Sequence, residues 1–269
     1  MATTVLITGA TDGLGRALAV RLAHEGCTLL LHGRDPDKLA DVAYETGAAL
    51  TFVADLASLT EVARFAGEVR DATDRLDVLV SNAGIGSGEP DGRTRRTSAD
   101  GYELRFAVNH LAGFLLIHEL LDLLRASAPS RIVLVASLGQ APYDPDDLML
   151  ERRYDGSRAY AQSKLAQIAT GLELADELAG TGVTVTSLHP GTYMPTKMVL
   201  LERGSAVDSL ETGVDAVARL VLDPELADTT GTFYDRRRPA EPHAQARDPE
   251  ARRRLWDRSL ELIAPFRRG

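Results

Sequence analysis

Tyr160 and Lys164 are the two side chains whose types and spacing most directly suggest chemistry. They stand four residues apart in Tyr160-Ala-Gln-Ser-Lys164, inside a stretch from about Ser157 to Leu178 that is patterned as a helix, so both lie on one helix face. A free phenol titrates at about pH 10 and is a poor acid or base near neutrality, whereas a close ammonium group favours the phenolate. The spacing predicts Tyr160 as a general acid or base supported by Lys164, with an ordinary solvated helix face as the alternative.

Two more polar residues occur at positions where a reaction could use them. Ser137 follows the apolar run Arg131-Ile-Val-Leu-Val-Ala, which is patterned as a strand. Its hydroxyl could hold a substrate oxygen as charge develops there, or it could simply begin a turn. Asn109 interrupts a strongly apolar helical segment, where an amide side chain is a poor helix former.

A glycine-rich turn follows the first apolar run and opens a helical pattern. Gly9, Gly13 and Gly15 occur in Thr8-Gly-Ala-Thr-Asp-Gly-Leu-Gly-Arg. Gly9 allows a sharp turn, Gly13 lets the backbone approach a ligand, and Gly15 lets helix and strand lie close together. A pyrophosphate would meet unpaired N–H groups and the positive end of the helix dipole. The turn predicts a dinucleotide site, although such glycines can also serve the turn alone.

Short runs rich in Val, Ile and Leu alternate with amphipathic helical patterns along the chain. Nearly continuous apolar runs are typical of strands covered on both faces, and their alternation with helices predicts a parallel sheet of right-handed β-α-β units. The runs are 5–7, 28–31, 50–53, 77–80, 131–135 and 183–188. The second helix should begin at Asp35-Pro36, a capping residue followed by a proline at the first helical position, and run towards Gly47.

Together these motifs resemble the short-chain dehydrogenase/reductase family over almost the whole chain. Asn109, Ser137, Tyr160 and Lys164 stand in the order of the family's catalytic tetrad. The resemblance implies that Lys164 bonds the nicotinamide ribose and that Asn109 holds a water linking the lysine to solvent. Residues 81–84, Ser-Asn-Ala-Gly, resemble the family's Asn-Asn-Ala-Gly motif with Ser in first place.

The resemblance also implies a set of cofactor contacts. Asp55-Leu56 resembles the adenine-contacting pair, and residues 189–192, His-Pro-Gly-Thr, resemble the turn that contacts the nicotinamide, with Thr192 or Thr196 as the threonine that bonds the carboxamide. The full implied set is Gly9, Thr11, Asp12, Gly13, Leu14, Gly15, Arg34, Asp55, Leu56, Asn82, Ala83, Gly84, Tyr160, Lys164, Pro190, Gly191, Thr192 and Thr196. We expect no metal site, because His110 and His118 have no ligand partners in the sequence pattern.

The end of the second predicted strand bears on the choice of cofactor. An enzyme that prefers NAD needs a carboxylate there for the ribose hydroxyls, and Gly33 occupies that position. Arg34 follows, and its planar guanidinium matches a 2′-phosphate. We predict NADP(H) in preference to NAD(H), the alternative being that Arg34 merely pairs with Asp35 or Asp55.

The predicted architecture is a single-domain α/β Rossmann fold with a doubly wound, mostly parallel, seven-stranded sheet and helices on both faces. Residues 1–135 are expected to form mainly the cofactor half, 136–235 the catalytic and substrate-binding part, and 236–269 a C-terminal tail helix. From Arg236 onward the chain carries ten arginines against five acidic residues. These arginines predict either a phosphate-binding tail or, more simply, a solvated helix face in contact with the acidic remainder.

Features near the site and in the tail resemble the retinol-dehydrogenase-like branch of the family, among them the 23 residues from Ser137 to Tyr160 and the tail segment Arg254-Leu-Trp-Asp-Arg-Ser. The expected reaction is reversible hydride transfer between NADP(H) and a hydrophobic ketone, aldehyde or secondary alcohol. The alternatives are a non-redox epimerase, dehydratase or cyclase at the same site, and a catalytically silent NADP(H)-binding sensor. Loops 138–156 and 192–211 are expected to form the pocket, with ordinary loop packing as the alternative. The expected apolar lining is Tyr143, Leu148, Met149, Tyr193, Met194, Met198 and Leu200.

Composition restricts the remaining possibilities. The 269 residues are 44% hydrophobic with a net charge of −9, which suits a packed core and argues against nucleic-acid or charge-driven membrane binding. The lone Cys27, the absence of a signal-peptide pattern and the charges that interrupt the longest apolar stretch favour a cytoplasmic protein that does not bind membranes. The family resemblance implies a homodimer or homotetramer packed through helices near 100–126 and 157–180, unless the tail masks that surface.

Overall fold

The structure is a computed structural model, and it describes residues 2–88, 92–196, 199–200 and 204–268. A single eight-stranded sheet runs through its centre, in the order β3-β2-β1-β4-β5-β6-β7-β8. The strands are β1 Thr4–Ile7, β2 Thr28–Gly33, β3 Leu50–Val53, β4 Val78–Ser81, β5 Ser130–Val135, β6 Val183–His189, β7 Thr232–Asp235 and β8 Arg238–Ala240. The first seven strands are parallel, which confirms the doubly wound α/β fold.

The predicted count of seven strands is wrong by one. Strand β8 returns antiparallel beside β7, with Asp235 opposite Arg238. The chain reverses over two residues because Arg236 adopts a left-handed conformation, with φ 54°.

Helices cover both faces of the sheet and enclose two apolar layers. They are α1 Gly13–His24, α2 Pro36–Thr46, α3 Leu59–Ala72, α4 Leu104–Ala126, α5 Gly156–Glu177, α6 Leu210–Leu222, α7 Ala244–Arg247 and α8 Pro249–Ile263. One layer joins the sheet to α1, α2 and α6, and the other joins it to α3, α4, α5 and α8. The glycine-rich turn therefore opens on one face, while the helix with Tyr160 covers the other.

Helix α2 has the ends that the sequence predicts. The Asp35 carboxylate accepts hydrogen bonds from the amides of Asp37 and Lys38, and Pro36 takes the first helical position. Gly47 ends the helix with φ 64°.

Among the described residues, α4 is the one helix that is long and apolar enough to be a candidate membrane span. By length and composition alone it could cross a membrane, with a mean hydropathy of 1.4 over its best 18-residue window. Of that window, 61% is buried inside the protein, and its side chains form part of the layer shared with α3 and α5. A buried core helix meets the same criteria.

The C-terminal tail is not the single helix that we predicted. It forms β8, α7, α8 and a final 3₁₀ turn, Ala264–Phe266. Arg252 reaches Glu173 and Asp176 of α5 at 3.2 and 2.7 Å, and Trp256 packs edge-on against Phe114 of α4 with ring centroids 5.0 Å apart. Arg252 of the tail therefore contacts acidic residues of the rest of the chain, as one of the two predictions stated.

Candidate active site

Helix α5 holds Tyr160 and Lys164 on its first turns. It begins where the Asp155 carboxylate accepts a hydrogen bond from the Arg158 amide at 2.8 Å. Tyr160 is half-buried and Lys164 is only 5% exposed. The two side chains thus leave the same helix one turn apart, the phenol nearer to solvent.

The Lys164 ammonium group is held beneath the end of the sheet. Its Nζ donates to the carbonyl of Val135, the last residue of β5, at 2.8 Å and to Gln167 Oε1 at 3.3 Å. Burial lowers the pKa of Lys164 to about 8, because the charged form loses hydration. The amine therefore remains mostly protonated at neutral pH.

Ser137 lies beside Tyr160 at the carboxyl end of β5. The Gly139 amide donates to Ser137 Oγ at 2.9 Å, which fixes the orientation of the hydroxyl group. A Cβ built on Gly139 would lie 3.3 Å from Ser137 Oγ and 3.8 Å from Tyr160 Cε1. The Ser137 hydroxyl and one edge of the Tyr160 ring therefore both lie beside Gly139.

Asn109 lies in a π-helical turn, Ala107–Leu111, a local distortion that is frequent at functional sites. Its Oδ1 accepts from the Ile85 amide at 2.8 Å, and its Nδ2 donates to the Ile85 carbonyl at 3.1 Å and to Ser163 Oγ at 2.9 Å. The side chain thus joins the loop after β4 to α5, next to Lys164.

Asn109 and Lys164 also approach a common point. A Cβ built on Gly84 would lie 3.1 Å from Asn109 Oδ1 and 3.5 Å from Lys164 Nζ. All four residues of the predicted tetrad are therefore gathered at the carboxyl ends of β4 and β5, where open parallel sheets bind ligands.

The glycine-rich turn forms a cradle at the same edge of the sheet. A Cβ built on Gly15 would lie 2.1 Å from the Gly9 carbonyl oxygen, so no side chain fits there. Asn82 Nδ2 donates to the carbonyls of Thr8 and Gly9 at 2.9 and 3.2 Å and so holds the turn against β4. The buried Leu14 anchors the first turn of α1. This cradle fits the pyrophosphate of a dinucleotide.

Asp12 is the one residue of the turn whose charge does not favour an anion. Its carboxylate caps α1 by accepting from the Gly13 amide at 2.7 Å. The cap stabilises the helix start while placing a negative charge at the mouth of the cradle.

Gly33 and Arg34 lie at the end of β2, beside the cradle. A Cβ built on Gly33 would lie 2.3 Å from Thr11 Cγ2, so the Thr11 methyl group fills the place of a side chain at position 33. Arg34 is exposed, and the neighbouring Asp35 carboxylate is engaged as the cap of α2. Asp55 accepts instead from the Ala57 amide at 3.0 Å. Neither carboxylate is therefore held in the pairing with Arg34 that was the alternative prediction.

The other predicted cofactor residues lie at neighbouring strand ends. Leu56 is buried after β3, and the Ala83 amide after β4 donates to Thr8 Oγ1 at 3.1 Å. Pro190 and Gly191 are buried directly after β6.

The two candidate threonines have different surroundings. Thr192 Oγ1 lies 3.1 Å from His189 Nε2 and accepts from Arg236 Nη2 at 3.2 Å, and the Thr192 amide donates to Asp208 at 2.6 Å. Thr196 lies over the glycine-rich turn, its Cγ2 being 3.0 Å from the place of a Cβ on Gly13. Which threonine bonds the carboxamide stays a prediction.

Known proteins that are similar to this chain identify the family to which it belongs. Residues 3–203 match the model of the short chain dehydrogenase family. The chain belongs to this family. It is 36% identical to human retinol dehydrogenase 13 over 97% of this chain and 84% of that protein. It is also 36% identical to DnrU of Streptomyces sp. (strain C5), provisionally named a daunorubicin C-13 ketoreductase, over 97% of this chain and 92% of that protein.

A solved relative has the same fold. The Pseudomonas aeruginosa RhlG/NADP active-site complex superposes with a TM-score of 0.71 at 25% identity, over 87% of this chain and 95% of that one. The predicted family and its retinol-dehydrogenase-like branch are confirmed, and the chain is a member of an oxidoreductase family.

The predicted pocket lining of this short-chain dehydrogenase is wrong at several positions. Tyr143, Leu148 and Met194 are buried in the apolar layers, and Met149 packs against one of them, so ordinary loop packing explains these residues. Apolar side chains that do face solvent near the site are Leu138, Tyr193, Leu200 and Val207, each 43–67% exposed. Met198 lies outside the described residues.

His32 is a supporting residue that sequence reasoning missed. Its Nδ1 accepts from the Gly9 amide at 3.2 Å, and its Nε2 donates to the Ala54 carbonyl at 3.1 Å. Burial lowers the pKa of His32 to about 4, which keeps the ring neutral and able to make both bonds. A histidine at the end of a buried strand was the available signal.

Arg105 is a second supporting residue that the sequence did not reveal. It is fully buried and donates to the carbonyls of Gly86 and Ser87 at 2.8 and 2.6 Å and to Tyr154 Oη at 2.5 Å. It thereby ties the loop after β4 to the segment that leads into α5. A charged residue one turn before Asn109 in an apolar helix was the signal.

Among the described residues, no group of three or more His, Cys, Asp or Glu side chains could hold a metal ion.

Proposed function

We propose that this chain is an NADP(H)-dependent oxidoreductase that transfers a hydride between the nicotinamide and a hydrophobic ketone, aldehyde or secondary alcohol. The observation that carries the proposal is the convergence of Ser137 Oγ and the Tyr160 ring on one point at the end of β5, with Lys164 and Asn109 behind them. A protein that only binds a nucleotide has no need of that convergence.

A bound nicotinamide dinucleotide supplies the hydride for carbonyl reduction and accepts it in alcohol oxidation. In reduction, Ser137 donates its hydroxyl hydrogen to the substrate oxygen, because its lone pair already accepts from the Gly139 amide. Tyr160 then gives its phenolic proton to that oxygen as negative charge develops there. The protonated Lys164 stabilises the phenolate left behind. Lys164 would also hold the nicotinamide ribose, and Asn109, bonded to Ser163 beside Lys164, would support the return of a proton to Tyr160.

The preference for NADP(H) is supported by steric and charge arguments. The Thr11 methyl group lies 2.3 Å from the place of a Cβ at position 33, so a carboxylate side chain there would require Thr11 to move. Arg34 is exposed beside that position and can meet a 2′-phosphate. The NADP complex of RhlG is consistent with this preference.

A hydrophobic substrate is supported by the site's surroundings and by the relatives. Leu138 adjoins Ser137, and Tyr193 and Val207 are joined by a backbone hydrogen bond of 2.9 Å in the segment after β6. These exposed apolar side chains can cover an apolar compound. Retinol dehydrogenase 13 and the daunorubicin ketoreductase are named for substrates of that character.

The Tyr160→Phe variant tests the proposal. We expect NADPH binding to persist and turnover of hydrophobic carbonyl compounds to fall by at least about a hundredfold, because the ring remains and only the proton donor is lost. Tyr44→Phe is the matched control, since Tyr44 is 94% exposed on α2. Turnover by Tyr160→Phe equal to that of the control would refute the assignment.

A further inference from the structure

The turn that holds Ser137 is bonded to the C-terminal tail through one side chain. Gln140 Nε2 donates to the Ser137 carbonyl at 2.9 Å, and Gln140 Oε1 accepts from the His243 amide at 2.8 Å. His243 precedes α7, the first tail helix. A single amide group therefore spans from the backbone of the serine to the tail.

The same turn also sets the position of the serine relative to Tyr160. The Gly139 amide orients Ser137 Oγ, and the Ala141 amide donates to the Ala161 carbonyl of α5 at 3.3 Å. Gln140 lies between these two contacts. Any shift at Gln140 is therefore passed to the hydroxyl group and to the helix that holds the phenol.

Further bonds hold the tail against the loop and against α5. The Gln245 side-chain amide pairs with both the N–H and the carbonyl of Tyr143, at 2.9 and 2.8 Å, and Tyr143 Oη donates to the Ala251 carbonyl at 3.2 Å. Arg252 reaches Glu173 on α5. The tail thus grips the loop after Ser137 and the helix of Tyr160 at the same time.

We propose that Gln140 is a positioning residue, which couples the docked tail to the placement of the Ser137 hydroxyl. The inference rests on the proposed function, in which Ser137 holds the substrate oxygen. A preorganised donor is effective only at the correct distance from the developing charge, and small displacements of such groups cost large factors in rate. Gln140 and the tail fix that distance without touching substrate.

A pair of variants at His243 isolates the tail's hydrogen bond. The bond to Gln140 comes from the backbone amide, so His243→Ala retains it, whereas His243→Pro removes it. His243 has φ −50°, which a proline ring accommodates, and both variants lose the same imidazole. We expect kcat of His243→Pro to be about tenfold below that of His243→Ala. The Kd of NADPH should be the same for both, and equal kcat values would overturn the proposal.

Variants of Gln140 provide a second, independent readout. Gln140→Leu keeps the size of the side chain and loses both bonds, so its kcat should fall about tenfold or more with the Kd of NADPH unchanged. In Gln140→Glu the carboxyl group can donate to the Ser137 carbonyl only when protonated. Its kcat relative to wild type should therefore rise as pH falls, while a purely structural residue would give a constant ratio.

Ser137→Ala distinguishes a failure of the Gln140 coupling from a failure of the proposed function. If Ser137→Ala and Tyr160→Phe abolish turnover while the Gln140 and His243 variants match wild type, the coupling is refuted and the proposed function stands. If Ser137→Ala retains full turnover, the proposed function itself fails.

Discussion

Lys164, which we propose supports Tyr160, carries a cost to folding. Its pKa is lowered from 10.5 to about 8 by burial, so at pH 7 the folded protein keeps a charged amine away from water. Below pH 8 the amine is charged in both folded and unfolded states, and the burial cost is fully present. As pH rises from 8 to 10.5 the folded protein holds the neutral amine, and the cost disappears.

The Lys164→Met variant measures that cost. As pH rises from 8 to 10.5, the free energy of unfolding of wild type should increase relative to that of the variant, by up to about 3 kcal/mol. The variant lacks the bonds to Val135 and Gln167 at every pH. Urea unfolding at both pH values provides the measurement. Lys38→Met, at an exposed position on α2, should show no such slope, and a flat difference for Lys164→Met would contradict the burial argument.

We propose that Arg34 determines the choice of dinucleotide. Replacing it with alanine removes charge-assisted hydrogen bonds to a 2′-phosphate, so the Kd of NADPH should rise at least about tenfold and the Kd of NADH should hardly change. Fluorescence titration of both nucleotides provides the ratio. Arg125→Ala is a suitable control, because Arg125 lies on the last turn of α4, just before the start of β5, whereas Arg34 follows the end of β2. An unchanged ratio of the Kd values of NADPH and NADH in Arg34→Ala would contradict the proposed role of Arg34.

Helices and strands whose ends are determined by neighbouring residues could be predicted from the sequence. Helix α2 follows directly from the cap at Asp35, the proline at 36 and the left-handed glycine at 47. Strand β8 escaped prediction because Arg238-Pro-Ala has no apolar alternation and includes a proline, which is confined to sheet edges.

Some residues of the candidate site could likewise be predicted from the sequence, and others could not. Tyr160 and Lys164 could be predicted as a pair because they share one helix, where spacing determines facing. Tyr143 and Met194 could not be placed, since apolar side chains suit a pocket and a core equally well until the tertiary packing is known. His32 bonds Gly9 and Ala54, and Gln140 bonds His243, all more than twenty residues away in the chain, so the local sequence does not identify these partners.

At the scale of the whole molecule, the tail covers the helices through which copies were expected to pair. Trp256 and Leu255 of α8 are buried against α4 and α5, and His110 of α4 lies 2.9 Å from Ser259 of α8. Arg268 donates its amide to Glu119, near the end of the same surface. A second copy could use this face only by displacing α8.

We therefore expect the intact chain to be a monomer in solution. Light scattering after size-exclusion chromatography should give the mass of one chain, 29.0 kDa. The apolar side chains of this face are already buried by α8, so pairing of two copies there would bury little additional apolar surface. The mass of a dimer or tetramer would contradict this expectation and would support the assembly implied by the family resemblance.

Hydride transfer by this chain can be followed with a single isotopic label. The chain is given a hydrophobic ketone and NADPH that carries deuterium at both C4 positions of the nicotinamide ring, and the product is analysed by mass spectrometry. We expect an alcohol with one deuterium on the carbinol carbon, formed by wild type and not by Tyr160→Phe. A product without deuterium, or equal labelling by both proteins, would contradict it.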